Sequence, residues 1–196
     1  MSGTAHSGET KLTPAARRIL DTAAELFYAR GIHAVGVDTI AAESGVTKRT
    51  LYDRFGSKDG LLVIYLEDRD RRWRARIDAH LAEETDPLRR LLTPFDVLPE
   101  WLPDSSRGCS FINAFAELPE PEHPGRQVIV AEKTWLRDYF RDHAAAAGAT
   151  APEQLAVQLL SLHEGAIVSY SITGEHGAPA AVRAAAQQLA ELATTR

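Results

Sequence analysis

Cysteine is almost absent from this 196-residue chain, and long apolar runs are absent as well. The single Cys109 excludes an internal disulfide framework and is consistent with a reducing compartment. No apolar run approaches the length of a membrane span, and the polar start is not typical of a signal sequence. We therefore expect a cytoplasmic protein with no membrane contact, whose residues 1–12 form a disordered arm.

Motifs for metal binding and catalysis are also lacking. The seven His residues are scattered, and the sequence contains no His-Glu-x-x-His motif, no paired Cys and no phosphate-binding Gly-rich loop. His163 and Glu164 are neighbours on a predicted helix, so they point in different directions and make a poor catalytic pair. We expect no enzyme activity, no cofactor and no metal.

An excess of positive charge, which is common in DNA-binding proteins, is missing from the chain as a whole. Basic residues number 22 and acidic residues 27, for a net charge of −5. The stretch from Ser44 to Lys58 nevertheless carries four basic residues and one acidic residue. Because DNA binding requires a local basic surface rather than a basic chain, the overall charge does not exclude it.

The most informative segment is residues 45–55, a tight turn followed by a short basic helix. Gly45 supplies the backbone freedom that the turn needs, and Thr47 can cap the following helix. Leu51 and Phe55, four residues apart, point to the same side and anchor that helix. A short helix with donors on its free side fits the major groove of DNA. The segment therefore predicts a helix-turn-helix.

Helical patterns continue along the chain, and no segment alternates as a strand does. Caps and apolar spacing predict four helices in the first part, over residues 14–30, 37–44, 48–55 and 58–84. Five further helical segments lie between Pro- and Gly-rich breaks, over residues 88–97, 109–118, 127–147, 152–173 and 178–193. The class is all-α with about nine helices: an N-terminal three-helix DNA-binding domain with the helix-turn-helix, and a C-terminal helical domain.

The fourth predicted helix carries an Arg-rich face. Three acid–base pairs with a spacing of four residues lie on it: Glu67 with Arg71, Asp68 with Arg72, and Asp70 with Arg74. Pairs with this spacing and the acid first stabilise a helix. We interpret the face as solvent-exposed and ion-paired rather than as a second nucleic-acid site.

The segment from Gly36 to Leu62 resembles the DNA-binding domain of the tetracycline-repressor (TetR) family. The resemblance extends over roughly Pro14 to Trp73, and its most specific part is Thr50-Leu51-Tyr52…Phe55…Ser57-Lys58. It implies a helix-turn-helix domain at 13–60 (motif at 36–55, family-type domain to about 73) and a ligand-binding and dimerisation domain at 61–196. It also implies a homodimer that binds a pseudo-palindromic double-stranded DNA operator, and most such proteins are repressors released by a small molecule.

The resemblance also implies residue roles. Lys48, Arg49 and Thr50 occupy positions that contact base edges or adjacent phosphates, whereas Tyr52 and Lys58 match phosphate contacts. The complete set of predicted DNA contacts is Thr39, Thr47, Lys48, Arg49, Thr50, Tyr52, Arg54 and Lys58. Two residues depart from the family pattern. Gly36 stands where many members have a Ser or Thr cap, and Asp53 places an acid on the exposed face.

The C-terminal half is less informative. An aromatic stripe at helical spacing is more often core than ligand site, although several aromatic residues together can line an apolar pocket. The candidate residues for a small apolar or amphipathic ligand are Trp101, Phe111, Asn113, Phe115, Glu117, Trp135, Tyr139, His163 and Tyr170. Two apolar stripes are candidates for a four-helix dimer interface: Leu155, Leu159, Leu162, Ala166, Val182, Ala186 and Leu189. Burial of these stripes within one subunit is the alternative.

The sequence thus predicts a ligand-released DNA-binding regulator, most often a repressor in this family. Ligand binding is expected to move the fourth helix and change the separation of the two recognition helices. One alternative is a helical small-molecule-binding or catalytic protein with a vestigial DNA-reading domain. Another is a regulator that responds to redox conditions through Cys109, although a lone Cys on an apolar helix is usually buried and unreactive.

Overall fold

The computed structural model describes residues 12–104 and 107–195. Within these ranges the chain contains nine α-helices, one short 3-10 helix and no strand, which confirms the predicted all-α class. The α-helices are α1 (Pro14–Arg30), α2 (Val37–Glu43), α3 (Lys48–Phe55), α4 (Lys58–Leu81), α5 (Pro87–Trp101), α6 (Ser110–Glu117), α7 (Pro124–Ala146), α8 (Pro152–Ile172) and α9 (Ala178–Thr194). Nearly all of the predicted disordered arm lies outside the described residues.

The chain divides into two compact units, Met1–Tyr65 and Leu66–Arg196. The division falls within α4, a few residues after the boundary that the sequence predicts at residue 60. The core of the first unit is made by buried apolar residues of α1, α2, α3 and the start of α4: Ile19, Leu20, Ala23, Leu26, Phe27, Ile40, Leu51, Leu61 and Leu62. This core holds α3 in place.

The second unit is built around α7 and α8, which pack along each other, while α9 packs against α5 and α8. Its core includes large buried side chains from α4, α5, α7 and α8: Trp73, Ile77, Leu91, Leu92, Phe95, Leu98, Leu136, Phe140, Leu155 and Leu159. The two Phe rings, Phe95 and Phe140, lie 5.6 Å apart between centroids. This core surrounds the cavity described below.

Helix α5 continues through a segment that the sequence predicts as a break. The prediction placed a Pro-rich break at 98–108, but α5 extends to Trp101 and contains both Pro94 and Pro99. Pro94 has no N–H to donate to the carbonyl oxygen of Arg90, one turn earlier. The hydroxyl of Tyr139 on α7 donates to that oxygen instead, at 2.5 Å. The helix continues because its free carbonyl has a partner and its apolar face is buried.

The Arg-rich face of α4 is only partly solvent-exposed. Asp68 is buried, with 4% of its side chain exposed, and it pairs with Arg71 and with Arg72, the latter at 3.1 Å. Asp70 pairs with Arg74 at 2.7 Å, as predicted. Asp68 pairs with Arg72 as predicted, but it is not on a solvent-exposed face. A buried carboxylate requires strong partners, and two guanidinium groups supply them.

Candidate DNA-binding surface and ligand cavity

A glycine turn separates α2 from α3. Gly45 has a φ angle of +67°, which strongly favours glycine, and its N–H donates to the carbonyl of Ala42 at 3.2 Å. The N–H of Val46 donates to the carbonyl of Ala41 at 3.0 Å. The turn therefore satisfies carbonyl groups at the end of α2 and redirects the chain into α3.

Helix α3 is capped at its start and buried on one side only. Thr47 Oγ1 accepts a hydrogen bond from the N–H of Thr50 at 3.1 Å and lies 3.0 Å from the Thr50 hydroxyl. Leu51 and Phe55 are buried in the core of the first unit. Their burial fixes the rotation of α3 and leaves its other side facing solvent.

The predicted DNA contacts lie on this exposed side or close to it. Thr47, Lys48, Arg49, Tyr52 and Arg54 are exposed. Thr39, Thr50 and Lys58 are half-buried. The side chain of Arg49 is 90% exposed, so its guanidinium group is free to reach a base edge.

Two carboxylates accompany the basic residues of α3. Asp38 of α2 forms an ion pair with Lys48, and Asp53 Oδ2 lies 3.8 Å from Arg49 Nε. The role of Asp38 was not predicted, because its partner lies ten residues later on another helix. Exposed pairs of this kind contribute about 0–1 kcal/mol, so DNA phosphates can compete for the cations. Gly36 is the N-cap residue of α2 and offers no side-chain cap, as predicted from the glycine at a position where many TetR-family members have Ser or Thr.

A small cavity lies within the second unit. Its enclosed volume is about 30 Å³, and with its open mouth the cavity measures about 390 Å³. Its apolar lining comes from Trp73, Leu98, Trp101, Leu102, Phe111 and Ile167. Its polar lining comes from Arg69, Cys109, Ser110, Glu132, Lys133 and His163. The internal space is sufficient for one or two water molecules, so a larger guest requires side chains at the mouth to move.

Three of the nine predicted ligand residues line this cavity: Trp101, Phe111 and His163. Three others do not line it. Asn113 Nδ2 donates to the carbonyl of Arg107 at 2.9 Å, and the Tyr139 hydroxyl donates to Arg90. Phe115 is 42% exposed.

The remaining predicted ligand residues also lie away from the cavity lining. Trp135 is covered by the Arg74 guanidinium, 4.2 Å from its ring centroid, and lines an open surface groove. The ring of Tyr170 packs against His176 at 4.9 Å. Glu117 is the last residue of α6 and is half-buried. The aromatic stripe is therefore divided between the cavity, the core and the surface.

A buried charged cluster at the cavity wall was not predicted. Lys133 Nζ lies 2.7 Å from Glu164 Oε1, 3.2 Å from Glu132 Oε2 and 3.6 Å from Cys109 Sγ. Glu132 is 3% exposed, and it lies at helical spacing between the buried residues Ile129 and Leu136. A charged residue at a core-facing position of α7 was the signal that could have identified it.

Burial and charge shift the pKa values of this cluster in opposite directions. Burial raises the pKa of Glu132 to about 7, against the pull of Lys133. Burial also acts to raise the pKa of Glu164, but its contacts with His163 and Lys133 prevail and hold the pKa at about 2. Burial lowers the pKa of His163 and raises the pKa of the Cys109 thiol. Near neutral pH the cluster therefore holds an ionised Glu164 and a neutral His163.

Comparisons with known proteins agree with this arrangement. The family profile described as "Bacterial regulatory proteins, tetR family" matches residues 19–63. An uncharacterised HTH-type transcriptional regulator of Mycobacterium tuberculosis is 28% identical over 131 residues, which are 67% of this chain and 65% of that protein. The HTH-type transcriptional activator FasR of Mycolicibacterium smegmatis is 29% identical over 115 residues, 59% of this chain and 52% of FasR. The chain thus matches about two thirds or less of the length of these curated relatives.

A solved structure extends the similarity to both units. The crystal structure of a TetR-family transcriptional regulator from Streptomyces coelicolor has a TM-score of 0.87 and 29% identity. The match covers 93% of this chain and 91% of that one. Residues 19–63 thus match a TetR-family domain, and the fold of the chain resembles that of a TetR-family regulator.

The predicted TetR-type dimer stripes are largely buried inside one subunit. Leu155, Leu159, Ala166 and Ala186 are each at most 2% exposed. Leu162, Val182 and Leu189 are half-buried and pack against the same core. These four residues are buried within the subunit, since α8 packs on both α7 and α9.

Other apolar residues of α8 and α9 face solvent. Val157, Val168 and Ile172 on α8 are 54%, 43% and 77% exposed, and Leu192 on α9 is 75% exposed. Their α8 positions fall on one helical face together with the exposed Ser161 and Gly165. We call Val157, Val168, Ile172 and Leu192 the α8–α9 surface.

Proposed function

We propose that this protein is a sequence-specific DNA-binding transcriptional regulator that acts as a homodimer on a pseudo-palindromic operator. The observation that carries the proposal is the exposed side of α3, where Arg49 and Lys48 extend from a helix anchored by Leu51 and Phe55. A packing-only domain gives no reason for this outward cluster of basic and hydroxyl groups. The resemblance to TetR-family regulators supports the same reading.

The predicted contacts divide by the kind of information they carry. Lys58, Tyr52 and Thr39 are suited to phosphate contacts, which set the register of the protein on the duplex. Arg49 and Lys48 are suited to guanine O6 and N7, where a good bidentate pair contributes about 1–3 kcal/mol of discrimination. Binding by α3 alone covers one half-site, so two copies are needed for useful affinity.

The α8–α9 surface supports the homodimer. Four large apolar side chains exposed on two adjacent helices favour a partner, and a second copy of the same surface supplies one by two-fold symmetry. Helix α8 is long and apolar enough to span a membrane, contrary to the expectation from the sequence, and a third of its most apolar segment is buried. Core helices of globular proteins share this length and composition, and we propose that α8 forms a dimer interface in the cytoplasm.

Repression released by a small molecule is the regulatory mode we propose. Helix α4 begins with Lys58 and carries Arg69 and Trp73 at the cavity. A guest that displaces Trp73 therefore acts on the helix that also holds a predicted phosphate contact. Such a ligand shifts the equilibrium only by its preference for the non-binding state. The relative FasR is described as an activator, so activation is the second candidate mode.

Two alternatives have less support. A metal-dependent catalytic role has no candidate site. In the described ranges 12–104 and 107–195, no group of three or more His, Cys, Asp or Glu could hold a metal ion. A redox role for Cys109 requires a thiolate, and burial of this thiol raises its pKa and disfavours that form. Neither alternative explains the exposed basic side of α3.

The test is DNase footprinting of the upstream region of the protein's own gene at two salt concentrations. Wild type is expected to protect a pseudo-palindromic site, and a Lys48→Ala/Arg49→Ala variant is expected to lose that protection. Arg137→Ala on α7, which removes an exposed arginine far along the chain, is the matched control and should retain it. Absence of protection by folded wild type on this region and on a random-site selection library would refute the proposal. In vitro transcription from the protected promoter then separates repression from activation.

A further inference from the structure

Poorly paired polar groups of Ser110, His163 and Glu132 meet at the cavity wall. Ser110 Oγ and both ring nitrogens of His163 have no hydrogen-bond partner within the described protein, and Glu132 Oε2 has only an ammonium group, at 3.2 Å. Each of these residues is 3% exposed, and each lines the cavity. Buried polar groups are rarely left without a partner. Their convergence on one cavity indicates that a guest completes their hydrogen bonds.

The cluster next to these groups determines the charge that a guest can carry. Lys133 already meets Glu164, Glu132 and Cys109 at 2.7, 3.2 and 3.6 Å. Its three N–H donors thus have three protein neighbours. A carboxylate guest would be a third buried anion beside Glu132 and Glu164 with no ammonium donor left to meet it.

The groups at the cavity wall include both acceptors and donors. The pKa of Glu132, raised to about 7, leaves its carboxyl partly protonated near neutral pH, so it accepts when ionised and donates when protonated. Burial lowers the pKa of His163, which keeps its ring neutral near pH 7, so one ring nitrogen accepts and the other donates, and Ser110 does both. A guest whose polar group both donates and accepts is therefore favoured over one that only accepts.

The remaining walls determine the shape of the guest. The rings of Trp73 and Trp101 meet edge to face, with centroids 5.3 Å apart, and the Trp73 ring lies 5.6 Å from the His163 ring. Phe111 lines the same space. Aromatic walls favour a flat apolar body. Arg69 lies over Trp101 at 4.8 Å, so an opening of the mouth past Trp101 involves this arginine.

We propose that the cavity binds a small, uncharged aromatic hydrogen-bond donor of the phenol type, which donates to Glu132 and exchanges hydrogen bonds with His163 and Ser110. This inference specifies the ligand class of the regulator proposed above and rests on that function for its biological meaning. The binding preference itself is a property of the second unit alone.

The test is a titration of wild-type protein with four probes of similar size: phenol, anisole, toluene and benzoate. Anisole keeps the ring and the oxygen but cannot donate, toluene has no polar group, and benzoate carries the excluded charge. Binding is followed by tryptophan emission, since Trp73 and Trp101 line the cavity, and by ligand-observed NMR. Phenol is expected to bind about tenfold more tightly than the other three, which corresponds to one net hydrogen bond.

Two variants assign the preference to the cavity. Glu132→Gln preserves shape but presents an amide, so the phenol-to-anisole affinity ratio is expected to fall several-fold. Ser110→Ala is a smaller change, and it is expected to weaken the binding of phenol and leave the affinity for toluene unchanged. Glu153→Gln on α8 is an exposed control and should bind like wild type. Circular dichroism verifies that each variant is folded, and if Glu132→Gln does not fold, Ser110→Ala carries the test.

Three outcomes would overturn the inference. These are tighter binding of benzoate than phenol, equal affinity for phenol and toluene, and no saturable binding of any probe, which would mean that the cavity holds water only. None of these experiments includes DNA, so such a failure leaves the regulator proposal standing. Loss of the footprint with intact phenol preference would instead remove the regulator proposal and keep the binding site.

Discussion

Arg49 and Lys58 illustrate how position decides what a cation on this surface can read. Arg49 is 90% exposed on α3, whereas Lys58 is half-buried at the start of α4. A long exposed guanidinium can enter a groove, but a partly buried ammonium at a helix start is better placed for the backbone. The two residues are therefore expected to affect sequence preference and overall affinity in different ways.

We predict that Arg49→Ala reduces operator affinity and leaves binding to random DNA nearly unchanged, a loss of about 1–3 kcal/mol in specificity. Lys58→Ala should weaken binding to operator and to random DNA by the same factor. It should also reduce the slope of log affinity against log salt concentration by about 0.9, the value for one phosphate contact. Fluorescence anisotropy over a salt series measures both quantities. Equal losses on operator and random DNA for Arg49→Ala would contradict its assignment.

Glu132 makes the stability of the protein depend on pH. Burial raises its pKa from 4.5 to about 7, with Lys133, Glu164 and Asp70 as charged neighbours. Between these values the folded state retains a proton that the unfolded chain has released. The free energy of unfolding therefore falls as the pH rises from about 4.5 to 7.

We predict that Glu132→Gln is more stable than wild type at pH 8, by up to about 3 kcal/mol, and close to wild type near pH 4.5. The reason is that glutamine has no proton to lose. Urea unfolding at several pH values measures the difference, and the exposed Glu153→Gln provides the baseline. A stability difference that stays constant across this pH range would show that the carboxyl is not the cause.

At the scale of elements, α5 shows how one side chain can repair a helix. Pro94 leaves the Arg90 carbonyl without its usual donor, and Tyr139, 49 residues away, donates to it. Burial raises the pKa of Tyr139 to about 12, so its hydroxyl remains a donor at all ordinary pH values. This structural role explains why Tyr139 does not line the cavity.

We predict that Tyr139→Phe destabilises the protein by about 1–3 kcal/mol, because a buried carbonyl loses its partner. In a Pro94→Ala background the helix regains its own N–H donor, so the same substitution should cost less. A double-mutant cycle by chemical denaturation measures this coupling, expected at about 1 kcal/mol. Additive effects would mean that the hydroxyl does not compensate for the proline.

The start of α3 followed the predictions closely because its determinants are local. Thr47 caps the helix within three residues, and Gly45 turns the chain within one. The extension of α5 to Trp101 was missed because proline was interpreted as a break, whereas a distant hydroxyl and an apolar face sustain the helix. Local signals predict where helices begin more reliably than where tertiary contacts prolong them.

At the scale of the whole molecule, the α8–α9 surface is the feature on which the proposed assembly depends. Ile172 and Leu192 are its most exposed members, at 77% and 75%. A dimer built on this surface brings two copies of α3 into one molecule. Operator affinity is then linked to dimerisation through mass action.

We predict that wild type sediments as a dimer and that Ile172→Glu/Leu192→Glu sediments as a folded monomer. Operator affinity should fall at least tenfold in this variant, because each monomer contacts one half-site only. Val130→Glu on α7 alters an equally exposed apolar residue, 55% exposed, and should remain dimeric. Analytical ultracentrifugation decides between these states, and a charged variant that stays dimeric would place the interface elsewhere.

The sequence by itself determined the helical class and the helix-turn-helix, because caps, turns and apolar spacing act over a few residues, and its motif carries the resemblance to the TetR family. The tertiary structure alone decided which side of α8 is core, where Tyr139 acts, and that Glu132, Lys133 and Glu164 share one wall. Lys133 and Glu164 are 31 residues apart in the chain. The physical reason is that burial and buried charge depend on partners distant in sequence, whose positions are set only when the helices pack.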